Sequence, residues 1–389
     1  MINQQQIPEG VTGDLDRDFP EDLLEIKKEL KKKSSSQGSW PKANLTFAEK
    51  QLVQKIQTRT NELNRNNVTR TQAYYAFYRK HPDIKWALLG HMVSRNGGWN
   101  MTDLQGEFLS KLLSLAEQQQ FFTFLERGNW LIFQDAYPQF LLYEESLRTK
   151  TPLFHLLRFL HVSTFMETLW NRYWMTGDQR IITIALIINE QSYLEKRVIR
   201  NKYYQQTVLD TIHFKLQDLL GLSHILFPYE MTTSGHTKLL GQTLRHFASL
   251  EERINLGKRL FSLLLDHEQK LCAWAGSTPH TGSRKDFWPH LFNNIRESLP
   301  GSLYIPQIKD CTLTKNGRRL YSPVLENAWK NVEHNEAETG DWFEDWRIID
   351  YFQNSYTSVN GEIRDEYCKS IEKLELAFFA KKALHHSNR

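Results

Sequence analysis

A chain of 389 residues can bury a substantial core, and at about 150 residues per domain it has room for two domains. Its 40% hydrophobic and 12% aromatic content, with 11 Trp and 22 Phe, excludes global disorder. Forty-nine basic residues against 45 acidic ones leave a net charge of only +4, so overall charge does not mark a nucleic-acid binder, although a local basic patch stays open.

Cys272, Cys311 and Cys368 are odd in number, lie far apart and make no CxxC or Cys/His zinc spacing. A reducing compartment is the simpler reading. The start, MINQQQIPEG, has neither a basic head nor an apolar stretch, so no signal peptide is expected. The longest mainly apolar run, Ile181 to Ile188, falls far short of the ~20 residues a membrane helix needs. The expectation is a soluble, cytoplasmic protein with no membrane span.

Residues 1–42 read as a flexible tail, acidic over Asp14–Asp22 and basic over Lys27, Lys28, Lys31, Lys32 and Lys33. The spacing of Leu23, Leu24, Ile26 and Leu30 would also allow a short amphipathic helix docked on the body. The globular region, 43–389, opens with the capping box Thr46–Glu49. A second box, Thr69–Gln72, starts a helix bearing Ala73, Tyr74, Phe77 and Tyr78, which must stop near His81 because Pro82 disfavours the helical conformation before it. The next helix carries Trp86, Leu89, Met92 and Val93 and is expected to end at Gly97-Gly98. A third box, Thr102–Gln105, opens another.

Further on, Phe121–Phe133 reads as a helix with a kink at Gly128, and Pro138 as the start of a new segment. Thr151-Pro152, Ser163 and Asp178 are plausible N-caps. Ile181–Ile187, apolar nearly all round, suits a central buried helix, with a strand as the alternative. Helical periods recur at Leu209–Leu220 and Ser249–Leu271. Glycines and prolines then break the chain over 276–322, where Tyr304-Ile305 or Cys311–Leu313 are candidate short strands. Val324–Trp329, Trp342–Phe352 and Ile363–Ala383 return to helix. The fold expected is all-α: an irregular multi-helix bundle with a loop-rich insert near 276–322, drawn as one body or as two abutting bundles, 43–200 and 201–389.

No phosphate loop, GxGxxG, GxSxG or HExxH occurs, and His267-Glu268 lacks a second histidine at 271, so no metal site and no cofactor are expected. The densest polar stretch is Asn61–Gly106. If its second and third helices form a hairpin, Asn67, Arg70, His91, Arg95, Asn96, Trp99, Asn100 and Asp103 could converge. Guanidinium groups, amides, one carboxylate and an indole would then bind an anionic or sugar-like ligand. The plainer reading makes the Asn and Asp residues turn caps and Arg95–Asp103 a structural ion pair.

A second candidate is the loop His280, Thr281, Gly282, Ser283, Arg284, Lys285, Asp286, where His280, Ser283 and Arg284 could hold an anion at a helix start; if Pro289 is the true start, Arg284 lies in a plain exposed loop. Asp341, Glu344 and Asp345 could pair as acid and base or simply cap a helix. Asp135, within an aromatic stretch, calls for a partner such as Arg158 or Arg172. The aromatic stripes Tyr74–Tyr78 and Phe165–Trp174 suit a core better than base stacking.

The strings NRNNVTRT, FYRKHPDIKWALL and HMVSRNGGWNMTDL resemble the YppC-like family of uncharacterised proteins from spore-forming bacilli, most clearly over residues 55–175. The resemblance implies a bacterial, cytoplasmic protein and carries over no catalytic residue. Three functions fit the chain. The first is a non-catalytic interaction protein that holds a protein partner in aromatic grooves. The second is an enzyme or binding protein for a phosphate, nucleotide or sugar at the Asn61–Gly106 loops. The third is a nucleic-acid accessory protein using Lys27–Lys33.

Overall fold

The computed structural model describes residues 21–35, 44–209, 224–231, 237–244, 246–297, 305–353 and 361–387. Most of the expected tail, the period at Leu209–Leu220 beyond Leu209, and Tyr304 lie outside them. The described chain is mainly helical, with three two-stranded sheets beside the helices.

Inside the expected tail, α1 (Glu21–Ser35) packs on the body and buries Leu23, Ile26 and Leu30. Helix α2 (Phe47–Leu63) starts at the Thr46 box, where the Thr46 amide donates to Glu49 Oε2 at 2.8 Å. Helix α3 (Asn67–Lys80) starts earlier than Thr69: Asn66 is the cap, and Thr69 is the residue that answers it. Helix α4 (Lys85–Asp103) runs straight through Gly97-Gly98. Those glycines are contact points. A Cβ at Gly98 would lie 2.6 Å from Asn67 Oδ1, and one at Gly97 3.0 Å from Asn129 Nδ2, so their absence lets α4 approach its neighbours closely.

The box at Thr102 does not form, because its hydroxyl donates back to the Trp99 carbonyl at 2.9 Å and across to that of Gly282 at 2.6 Å. After the one-turn α5 (Leu109–Leu112), the box that does form is Ser114 with Glu117. It starts α6 (Leu115–Thr149), a single 35-residue helix that carries both Gly128 and Pro138 in its interior. Neither breaks it: packing on α3, α4 and α8 outweighs the hydrogen bond that Pro138 forgoes.

Ser163 caps α7 (Thr164–Thr176) and Asp178 caps α8 (Gln179–Leu194), which is the expected central helix, buried from Ile182 to Asn189. Thr151-Pro152 precedes a 3-10 turn, Phe154–Leu160. An antiparallel hairpin, β1 (His224–Met231) with β2 (Thr237–Thr243), follows, its register broken between Pro228 and Glu230. Helix α9 (Leu250–Ser277) is capped by Ser249, kinked at His267 and packed against α8, α4 and β1.

The insert holds β3 (Phe292–Asn293), β4 (Ile308–Lys309), β5 (Thr312–Leu313) and β6 (Leu320–Tyr321), with β3 parallel to β6 and β4 antiparallel to β5. Asp310 and Cys311 turn the β4–β5 hairpin with left-handed backbone, and Cys311 forms a disulfide with Cys368, their Cα atoms 5.4 Å apart. Cys272 is the free thiol, so the odd count hides a pair. The one-turn α10 (Leu325–Ala328) and a 3-10 turn, Trp346–Phe352, replace two longer expected helices, and α11 (Arg364–Ser387) closes the described chain. Among the described helices none is long and apolar enough to cross a membrane.

Candidate functional site

Helices α3 and α4 form the expected hairpin, but the polar residues of the Asn61–Gly106 stretch face inward from helix surfaces and do not ring an open loop pocket. Arg70 donates to Glu126 Oε2 at 2.6 Å and to Asn64 Oδ1 at 3.2 Å, and His334 lies 3.4 Å from the other Glu126 oxygen. Burial works against the Glu126 charge, yet Arg70 and His334 hold it below the usual carboxylate range. The Asn67 amide donates to the Ser94 carbonyl at 2.9 Å. Asn96 pairs with the backbone of β1, donating to the Leu226 carbonyl at 2.6 Å and accepting from its amide at 2.8 Å. Each of those three side chains is engaged inside the protein.

The loop at 280–286 is not an open anion nest. Arg284 is buried and donates to Asp103 Oδ2 at 2.6 Å and to Asn100 Oδ1 at 3.0 Å, while Ser283 and the Arg284 amide bond to Ser322. Asp103 therefore pairs with Arg284, 181 residues away, and not with Arg95. Pro289 starts no helix. Asp135 accepts from Gln139 and Asn189, whereas Arg158 and Arg172 pair with Glu167 and Glu25. Asp341 accepts from the Thr164 and Phe343 amides, and Asp345 caps the turn at Trp346. Among the described residues no group of three His, Cys, Asp or Glu side chains is placed to hold a metal ion.

Buried Arg197 donates to two backbone carbonyls, lies over an aromatic ring and pairs with no carboxylate of the described residues, and Arg95 is held in the same way. Arg95 Nη2 donates to the backbone carbonyls of Thr278 at 3.0 Å and Pro279 at 2.7 Å, and its guanidinium lies 4.3 Å from the centre of the Trp274 ring. No carboxylate of the described residues is within 4 Å of it. Arg95 Nε and Nη1, His91 Nε2, Trp274 Nε1 and both ring nitrogens of His280 are all buried without a hydrogen-bond partner among the described residues. Leaving one such group unpaired costs roughly 1–3 kcal/mol, so six in one cluster are far from the usual state of a protein interior.

These groups belong together. His91 and Arg95 stand four residues apart on α4, the spacing that puts side chains side by side on one helix face. His280 comes from the loop that follows α9, and a Cβ at Gly98 would lie 3.5 Å from its Cε1. Its Nδ1 lies 3.9 Å from Asp286 Oδ2, and Asp286 in turn accepts from Trp99 Nε1 at 3.4 Å and the Thr281 amide at 3.1 Å. Burial pushes Arg95 down to about 10, against the attraction of Asp286. Burial, then the Arg95 charge, push His91 down to about 3, and the same two causes carry His280 well below its ordinary value. Burial raises Asp286, opposed by Arg95. The cluster is thus one cation among two neutral imidazoles.

The segment that holds Arg95 lies at the surface: Pro279 is exposed, as are Gly276 and Ser277 at the end of α9. Asn67, which Gly98 touches, also lines a cleft with Asn66, Phe122, Leu325, Trp329 and Asn331. Its wall touches the same loop, since the Leu325 amide donates to the Thr281 carbonyl at 2.9 Å. Of the expected site residues, the structure brings His91, Arg95, Trp99 and His280 together and assigns Asn67, Arg70, Asn96, Asn100, Asp103, Ser283 and Arg284 to internal pairs. Asp286 was named in the sequence only as the end of the 280–286 loop, and Trp274 was not singled out: it sits in an ordinary apolar helical period, and nothing local marks it.

Residues 62–367 match a family described as "Protein of unknown function (DUF2515)". The chain belongs to that family. It is 36% identical over 332 residues to "Uncharacterized protein YppC" of Bacillus subtilis (strain 168), across 85% of this chain and 95% of that one. No solved structure matches it.

Proposed function

We propose that this DUF2515 chain binds a small oxyanion at Arg95, with His91, His280 and Trp274 completing the site. One observation carries the reading: the unpaired guanidinium N–H groups of Arg95, in the same buried cluster as unpaired imidazole and indole nitrogens. An oxyanion would accept from Arg95 in the bidentate manner that guanidinium favours and would supply the countercharge that Asp286 gives only at a distance. Entry requires the 278–281 segment after α9 to lift, which frees Arg95 Nη2 from the Thr278 and Pro279 carbonyls.

The readings as an interaction protein and as a nucleic-acid accessory have less support. The large exposed apolar residues are spread from Phe47 to Leu384 over many segments. Lys27 and Lys31 lie over the Trp346 ring at 5.4 and 5.1 Å, and Lys33 is bonded to Glu29 and Thr168.

The test is thermal melting of the wild type and of Arg95→Ala against phosphate, sulfate, carboxylates, nucleotides and sugars. A ligand at about 100 times its dissociation constant stabilises by ~2.7 kcal/mol, a readable shift. The expected result is a wild-type shift with an oxyanion that a folded Arg95→Ala protein loses. No shift with any oxyanion would overturn the reading.

A further inference from the structure

The hydrogen-bond polarity of the cluster narrows the ligand. His91 Nδ1 lies 2.9 Å from the Thr71 carbonyl, which can only accept, so Nδ1 carries the ring proton. In the neutral ring Nε2 is then a bare lone pair, and it is buried without a donor facing it. Its neighbour on the same helix face, Arg95, offers two unpaired donors. The unmet demand of the α4 face is therefore for a ligand that accepts at one edge and donates at another.

Sulfate, an ionised carboxylate and a phosphodiester have oxygens and no proton; each would turn an oxygen toward the His91 lone pair. A phosphate that keeps one proton satisfies both edges, its oxygens on Arg95 and its O–H on His91 Nε2. Resting on the oxyanion reading above, we infer that the site is selective for a proton-bearing phosphate, either inorganic hydrogen phosphate or a phosphomonoester monoanion.

The groups around His91 do not undo this. From α3, Tyr75 faces the imidazole with ring centres 5.0 Å apart and is neutral, pushed by burial up to about 12. From α9 come Trp274 and the free thiol of Cys272, which lies beside the Tyr75 hydroxyl. From the 278–286 loop come His280 and the carboxylate of Asp286. Protonating His91 to make it a second donor would place a buried cation beside Arg95. A neutral acceptor is the stable form.

Titration calorimetry of the full chain with inorganic phosphate, phenyl phosphate, sulfate and dimethyl phosphate is the test. A site built around a hydrogen bond rejects analogues lacking it, so phosphate should bind at least about 100-fold tighter than sulfate or dimethyl phosphate at pH 7. Phenyl phosphate loses its last proton near pH 6, so its affinity should fall about tenfold per pH unit above that, while inorganic phosphate, still protonated, holds its affinity to pH 8. The two curves also separate a free phosphate from an esterified one. In His91→Phe, if it melts as a folded protein, the preference for phosphate over sulfate should collapse toward one.

Sulfate binding within about threefold of phosphate would overturn the proton requirement and leave the oxyanion site standing. No binding by any of the four would overturn both. Wild-type selectivity alone decides the matter if the variant does not fold.

Discussion

At the scale of single residues, the interior is held by polar networks whose protonation sets how stability follows pH. Asp135 accepts from Gln139 at 3.0 Å and from Asn189, and these are tied to Trp170 and Trp342 by 2.8 Å bonds. Burial raises Asp135 from 3.8 to about 7. Between those values the folded state holds more protons than the unfolded one, so this stabilisation is complete at low pH and is lost as pH rises through that window. Asp135→Asn keeps the shape without the charge. Its melting temperature relative to the wild type should rise between pH 4 and 8; a constant difference would mean Asp135 does not titrate there.

His91 and His280 act oppositely. Both have lowered values, so they weaken the fold as pH falls below about 6.5, where the unfolded imidazoles gain protons. Replacing one partner of the buried Arg70–Glu126 pair, as in Glu126→Gln, should cost ~3–5 kcal/mol in denaturant unfolding.

At the scale of elements, two glycines separate conformational freedom from packing. Gly128 lies within α6 with nothing within 4 Å of its would-be Cβ, so Gly128→Ala should stabilise by about 1 kcal/mol through helix propensity. Gly98 touches Asn67, 2.6 Å from its would-be Cβ, so Gly98→Ala should destabilise despite the same propensity gain. Urea unfolding of the pair reads the contrast, and equal stabilisation would mean α3 and α4 do not pack as described.

The same contrast explains what the sequence made legible. Caps at Thr46, Ser163, Asp178 and Ser249 are local chemistry, and they start helices where their residue types say they should. Gly97-Gly98 reads as a stop because its reason for being glycine lies on other helices. Pro138 reads as a start because the packing that tolerates it inside α6 is not local. The β1–β2 hairpin went unread: Pro228 within β1 argues against a strand, and the bulge beside it is what accommodates it.

At the scale of the whole molecule, long-range pairs decide the candidate site. Arg95, Trp99 and His91 were visible as a dense polar stretch, but their use depends on His280, Trp274 and Asp286 from near the end of α9. No local spacing announces a contact across 180 residues. The first helix gives a further test: Leu30 is fully buried on the body, so Leu30→Ala should cost ~2–4 kcal/mol if α1 docks as described, and nothing if it is a free tail.

The central claim is that Arg95 receives an oxyanion, and the most direct measurement is a crystal structure of the wild type grown with inorganic phosphate. The account expects tetrahedral density within hydrogen-bond distance of Arg95 Nε and Nη1, with the 278–281 segment moved off the guanidinium. Arg95 still held by the Thr278 and Pro279 carbonyls at saturating phosphate, with no density beside it, would contradict the account.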